Sequence, residues 1–342
     1  MPLTHSTTAE TPTSEQRGSK LVRVAAVWLF GLLLSIAAAI ITIQVVNANL
    51  YGPQQPVRDY LQALQDGDGS RALGLLGANL PNASAALLDG QALKTAAAGI
   101  SDIQVGNPTT LDNGRVKISV NFQMAGSGHS SDFTLEPVGS QWIFFNKWKF
   151  VPTSLPVLDV SVVNQTQATI NGVDVPMPAG KNTFSLLYPG SYEAGYQGKL
   201  FTAKPGTVLV DSPISRPSPV TLAPEPSAEL VDQVNKALKQ YTDQCAQQKV
   251  LRPSGCPLNY RTNNRITGDI AWTIVSYPQA AISAYNGSWV IAPLKFKAEI
   301  KFSEKDSLSG AASDVDKVQE FFFSAKLNIS GEKVEVTPVV QY

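Results

Sequence analysis

Side chains able to do chemistry are scarce in this chain. It holds two histidines, His5 and His129, and two cysteines, Cys245 and Cys256. A Ser–His–Asp or Cys–His centre needs a histidine beside its nucleophile, and a zinc site needs several nitrogen and sulfur ligands. His5 precedes a long apolar run, and His129 sits in Gly-Ser-Gly-His-Ser-Ser, the composition of an exposed hairpin turn. No phosphate-binding loop, nucleophile elbow or dinucleotide fingerprint occurs. Carboxylates alone could hydrolyse a glycoside if two stood roughly 5–10 Å apart. Asp102, Asp132 and Glu136 fall in one strand-rich region and Asp269, Glu299 and Glu320 in another, with no spacing that brings a pair together. Asp66-Gly67-Asp68-Gly69 places its glycine too early for a twelve-residue calcium loop. The chain therefore reads as a non-enzyme with no catalytic residue, no metal site and no cofactor.

The cysteines are separated as C-x10-C, too sparse for zinc and too far apart for a C-x-x-C redox pair. They read as a structural disulfide formed in an oxidising compartment. Closing a loop of that size contributes on the order of 3 kcal/mol.

What must carry these residues is ordered around one membrane signal. Val24 to Val46 is a run of 23 uncharged, mostly apolar residues. As a helix it reaches roughly 34 Å, enough for the roughly 30 Å hydrocarbon core. It exceeds a secretory signal's apolar region, and Val46-Asn47-Ala48-Asn49 is a poor cleavage site. Arg17, Lys20 and Arg23 flank its N-terminal side and the first cation beyond it is Arg58, so the N-terminus is expected in the cytoplasm and the C-terminal bulk outside. Gly31 and Ser35 form a small-xxx-small pair, which ordinary transmembrane composition also produces. Residues 1–23 read as a disordered cytoplasmic tail, rich in Ser and Thr. Lys+Arg and Asp+Glu number 27 each, a balance that gives no reason to expect nucleic acid as partner. The expected partners are the lipid bilayer and, outside it, an envelope protein or a wall polymer.

Beyond the span, Val57, Tyr60, Leu61 and Leu64 recur at helical spacing, and Ala72, Leu73 and Leu76 resume it after the Asp66–Gly69 break. A third helix is expected over 84–98. Strands are expected over 100–105, 115–124, 129–136 and 141–150, the last carrying Trp142, Phe144, Trp148 and Phe150 on one face. Residues 152–222 are rich in Pro and Gly, with short strands and turns at Asn171-Gly172 and Pro189-Gly190. After Arg216-Pro217-Ser218-Pro219 and Pro224-Glu225-Pro226, a helix is expected over 227–248, capped by Ser227. Strands are then expected over 266–276, 280–285, 288–292, 295–302, 317–329 and 333–340. Glu320-Phe321-Phe322-Phe323 breaks the alternation of a half-buried strand, so that strand is expected to be buried on both faces or exposed to a partner.

The order of a Val-x-x-Tyr-Leu helix, Ile100-Ser101-Asp102-Ile103 and a closing strand with Trp142-Ile143 and Trp148-Lys149-Phe150 resembles the nuclear-transport-factor-two-like cone fold. Ile266-Thr267-Gly268-Asp269-Ile270 and Gly287-Ser288-Trp289-Val290 echo those segments and point to a second such unit. Thr169-Ile170-Asn171-Gly172 with Tyr188-Pro189-Gly190-Ser191-Tyr192 resembles small β-sandwich modules of PEGA type, without their name-giving tetrapeptide. The whole plan is distantly similar to the teicoplanin-resistance-associated family, though this chain lacks that family's N-terminal cysteine ribbon. The resemblance implies an α+β chain: a tail (1–23), a transmembrane helix (24–46), a cone-like domain (50–151), a β-sandwich spacer (152–222) and a second cone-like domain (223–342). It also implies a non-catalytic, membrane-anchored envelope protein that binds or scaffolds. A cone pocket could hold a small ligand against Trp142 and Trp148, which would make the chain a sensor; a carboxylate-dependent hydrolase is the other alternative.

Overall fold

The computed structural model describes residues 15–49, 51–141 and 145–340, beginning with α1 (Glu15–Asn49). Its stretch Val22–Val46 is long and apolar enough to cross a membrane and contributes nothing to the protein's core. A helix apolar on every side finds no partner in water, whereas lipid satisfies all its faces.

Three short helices follow: α2 (Gln54–Asp66), α3 (Gly69–Leu76) and α4 (Gly90–Ala98). The expected stripe of α2 is buried through Val57, Tyr60, Leu61 and Leu64. The Asp66–Gly69 break serves backbone needs. Gly67 takes a left-handed conformation to end α2, and the Asp68 carboxylate accepts the Arg71 amide at 2.9 Å to cap α3. A Cβ on Gly69 would lie 1.8 Å from the Leu88 carbonyl oxygen, so only glycine lets these segments meet. The helix expected from residue 84 starts only at Gly90. Ser84 instead adds to a strand edge, its amide donating to the Thr183 carbonyl at 2.8 Å and its carbonyl accepting from Ser185 at 2.9 Å. Tertiary pairing outweighs local helix propensity there.

The first sheet contains β1 (Ile100–Val105), β2 (Thr109–Thr110), β3 (Val116–Met124), β4 (Ser127–Gln141) and β5 (Phe145–Phe150). It runs β1-β3-β4-β5, antiparallel throughout, with β2 on β3. Along β3, Val116, Ile118, Val120, Phe122 and Met124 point into the core. Next come β6 (Val157–Val162), β7 (Gln167–Ile170), β8 (Val173–Pro176), β9 (Lys181–Ser185), β10 (Gly190–Gln197) and β11 (Phe201–Val210). The turn Asn171-Gly172 joins β7 to β8 with φ of 48° and 78°, the doubly left-handed geometry that Asn-Gly favours. The proline-rich stretch supplies two further strands. β12 (Val220–Leu222) pairs parallel to β6, and β13 (Glu225–Pro226) pairs antiparallel to β11.

Ser227 caps α5 (Ala228–Ala246), its hydroxyl accepting the Leu230 amide at 3.2 Å. The last strands are β14 (Arg265–Ile266), β15 (Ala271–Ser276), β16 (Ile282–Tyr285), β17 (Ser288–Ile291), β18 (Leu294–Lys305), β19 (Ala312–Ser330) and β20 (Lys333–Val339). They form a sheet ordered β14-β18-β19-β20, with β15 on β18, and a separate β16-β17 hairpin. The strand expected over 266–276 is interrupted because the Thr267 and Gly268 amides both donate to the Ser303 carbonyl. Cys245 and Cys256 form a disulfide that ties the end of α5 to the following turn. The chain is thus a mixed α+β protein of mainly antiparallel sheets behind one apolar N-terminal helix.

Its buried residues gather in two clusters. The first runs from Val57 to Leu222 and includes Phe150, Leu155 and Leu158 across residue 152. At its centre Tyr60, Phe133, Phe150 and Tyr188 pack ring against ring with centroids 5.6–6.4 Å apart, and the Tyr60 hydroxyl donates to the Tyr188 carbonyl at 2.6 Å. The second cluster gathers under α5 and around the last sheet, and it recruits Leu200 and Phe201 from the start of β11. Phe201 stacks on Trp289 at 4.0 Å, and Lys199 reaches Glu332 at 2.9 Å, so the two clusters meet through defined contacts.

Candidate binding face

The interior under α2–α4 is filled by the aromatic cluster of Tyr60, Phe133, Phe150 and Tyr188. Trp148 is half-buried and packs against that same core, and Trp142 lies outside the described residues. Burial pushes the Tyr60, Tyr188 and Tyr192 hydroxyls above their usual titration range, as expected of phenols removed from water. His129 lies partly exposed at the start of β4, its ring stacked on Phe122 and its Nδ1 3.7 Å from the Asp211 carboxylate.

Of the carboxylates singled out by sequence, Asp132, Glu136 and Glu299 serve as charge partners on sheet strands. Asp132 accepts from the Ser119 hydroxyl and faces Lys117 at 3.2 Å; those contacts hold its carboxyl below the ordinary range, the serine bond contributing most. Glu136 is pulled down by Lys149 first and then Arg115, each at 3.2 Å. Asp102 has a positive φ of 51° beside the irregular β1–β3 pairing and makes no ion pair among the described residues. In the last sheet, Glu299 and Asp316 converge on the Lys301 ammonium, each at 3.2 Å. A general acid needs a carboxyl pushed up to hold its proton near neutrality. The carboxyls moved from their usual values here, Asp132, Glu136, Asp243 and Asp306, all move down.

Two surface grooves are also committed to internal bonds. A groove of about 750 Å3 beside β6 and β9 is lined by Asp159, Ser161 and Thr183, among others. There the Thr183 hydroxyl donates to Asp159 at 2.6 Å and the Ser161 hydroxyl to Thr221 at 3.1 Å. A second, of about 440 Å3, lies at the joint of the two clusters around Lys199, Phe201, Trp289 and Glu332.

A different surface stands out once the strands are in register. In β18 and β19, Leu294, Phe296, Ala298, Ile300 and Phe302 face the core with Val315, Phe321 and Phe323, beneath α5 and the β16-β17 hairpin. The opposite face bears Lys295, Lys297, Glu299 and Lys301 on β18, paired across to Phe322, Glu320, Val318 and Asp316 on β19. Phe322 is 64% exposed and Val318 53%, with Val275 on neighbouring β15 at 54%. The triple phenylalanine therefore obeys alternation, with its middle ring pointing to solvent. Lys295 sits directly opposite Phe322, and Lys326 lies two outward positions further along β19. Among the described residues Lys295, Lys297 and Lys326 make no ion pair, although Glu320 faces Lys297 across the strands.

Lone exposed apolar residues need no explanation; here Phe322 and Val318 share an outer sheet face with Lys295 and Lys297, which make no ion pair among the described residues. Sequence reasoning missed the lysines; the signal available was the strict alternation Lys295-Phe296-Lys297-Ala298-Glu299-Ile300, which puts every lysine on the face away from the core. No protein-family model, curated protein or solved structure matches the chain.

Proposed function

We propose that the chain is a non-catalytic, membrane-anchored envelope protein whose C-terminal sheet presents a binding face outside the cell. The observation that carries this is Phe322, exposed on the same sheet face as Val318 and next to Lys295 and Lys297, which make no ion pair among the described residues. A complementary partner offers a carboxylate or phosphate beside an apolar group, as a wall component or an envelope-assembly protein can. Val22–Val46 acts as the anchor, and Arg23 with Arg17 and Lys20 keeps the tail cytoplasmic. The helices on antiparallel sheets are consistent with two cone-like units, and the short strands of 157–222 with a sandwich that shares the first unit's core and carries the second unit. Because Phe201 and Lys199 join the two clusters, the binding face is held at a set position relative to the anchor-proximal block.

The test is crosslinking of the full-length protein in its own cells, wild type against a Phe322→Glu, Lys295→Glu variant. A discrete envelope protein or wall polymer recovered with wild type and lost with the variant supports the proposal. The same products from both would overturn the assignment of this face.

A further inference from the structure

We infer that the β5 edge of the first sheet rests on the bilayer beside α1, giving the protein a second membrane contact next to its anchor. This rests on the reading of Val22–Val46 as a membrane span. The apolar stretch ends at Val46 and α2 begins at Gln54, so residues 47–53 cross no more than roughly 28 Å even when fully extended. Residues 47–49 still belong to α1, which shortens that reach. The first sheet therefore cannot stand away from the membrane.

Contacts select which part faces it. α1 packs against β5, and on the stretch Val22–Val46 only Ile43 and Val46 are half-buried while the remainder is exposed. It is the C-terminal end of the span, at the headgroup level, that meets the protein body. β5 is the last strand of its sheet and, among the described residues, pairs only with β4 there. An open strand edge is a template for unwanted strand pairing unless something covers it. Phe150 and Trp148 on β5 turn toward the core, while Lys147 and Lys149 alternate to the outer face and are exposed. Lys149 is held by Glu136. Lys147 has no ion pair among the described residues and stands free to meet lipid phosphates. An exposed lysine at the end of a span is the kind of group that meets lipid phosphates at a membrane–water interface. The first sheet is thereby fixed against the bilayer, and the face bearing Phe322 is carried on the other cluster.

The experiment uses the full chain in liposomes, with its disulfide intact, bearing an environment-sensitive fluorophore at Lys147→Cys or, as a reference, at Leu308→Cys in the exposed turn between β18 and β19. The expected result is a blue-shifted emission at position 147, quenched several-fold less by aqueous iodide than at 308 and quenched by nitroxide lipids. Protein that floats with the liposomes yet shows equal iodide quenching at both sites would overturn the inference alone. Protein that fails to float would sink the anchor reading, and this inference with it.

Discussion

The outer faces of the first and last sheets are built on the same plan and differ in how their charges are used. Each is an antiparallel sheet with helices on one side and the other side uncovered. On the first, Lys117 meets Asp132, and Arg115 and Lys149 share Glu136, with polar Ser119, Asn121 and Gln123 between. On the last, Lys301 is neutralised by Glu299 and Asp316, but Lys295, Lys297 and Lys326, on the face that exposes Phe322 and Val318, make no ion pair among the described residues. Exposed ion pairs add little stability, so their presence on the first face chiefly satisfies charge in solvent. Their absence beside an exposed ring on the other leaves an interaction unmade within the chain. Charge balance over the whole protein therefore says nothing of where charge is available.

The sharpest way to break this contrast uses neighbours one residue apart. Phe321→Ala should cost about 3–5 kcal/mol in chemical denaturation because its ring lies in the second core. Phe322→Ala should stay within about 0.5 kcal/mol of wild type, as a surface change does, while losing the crosslinked partner. Equal destabilisation by both would mean that Phe322 is structural.

The two cores should also part company. Replacing Cys245 and Cys256 with serine should cost on the order of 3 kcal/mol by freeing the loop in the unfolded chain. Near-ultraviolet signals from the Tyr60–Phe133–Tyr188 cluster should then persist at denaturant concentrations that melt α5. Alkali should act in the opposite sense. The Tyr60 and Tyr192 hydroxyls have folded-state pKa values raised by burial, so their contribution is complete below the ordinary phenol range near pH 10 and is lost as pH climbs beyond it. Tyrosinate absorbance from the first core should rise only as that core opens.

The smallest effect belongs to the paired face. Asp132 has a lowered pKa, so its contribution is present above the usual carboxyl range near pH 4 and disappears as pH falls through the folded value. Asp132→Asn should cost under about 1 kcal/mol at neutral pH and flatten the acid limb of the stability curve.

Local signals in the sequence located what local physics decides. The long apolar helix, the Ser227-capped helix, the Asn171-Gly172 hairpin and the strand β3 were all readable from neighbours in the chain. Pairings distant in sequence were not. Ser84 joining β9, Val220–Leu222 running parallel to β6, and Tyr60 bonding Tyr188 leave no periodic trace, because each segment's partner lies far along the chain. The proposed binding face was half legible. Phe322 drew notice within an apolar run, but its outward direction required the register that sets it opposite Lys295.

Site-specific photocrosslinking of the full-length protein in its own cells, with the reactive side chain at position 322 or at Asn121 on the outer face of the first sheet, distinguishes the two faces. Discrete adducts from 322 and none from 121 are predicted. The same adducts from both positions, or adducts from 121 alone, would contradict the assignment of the C-terminal sheet as the binding face.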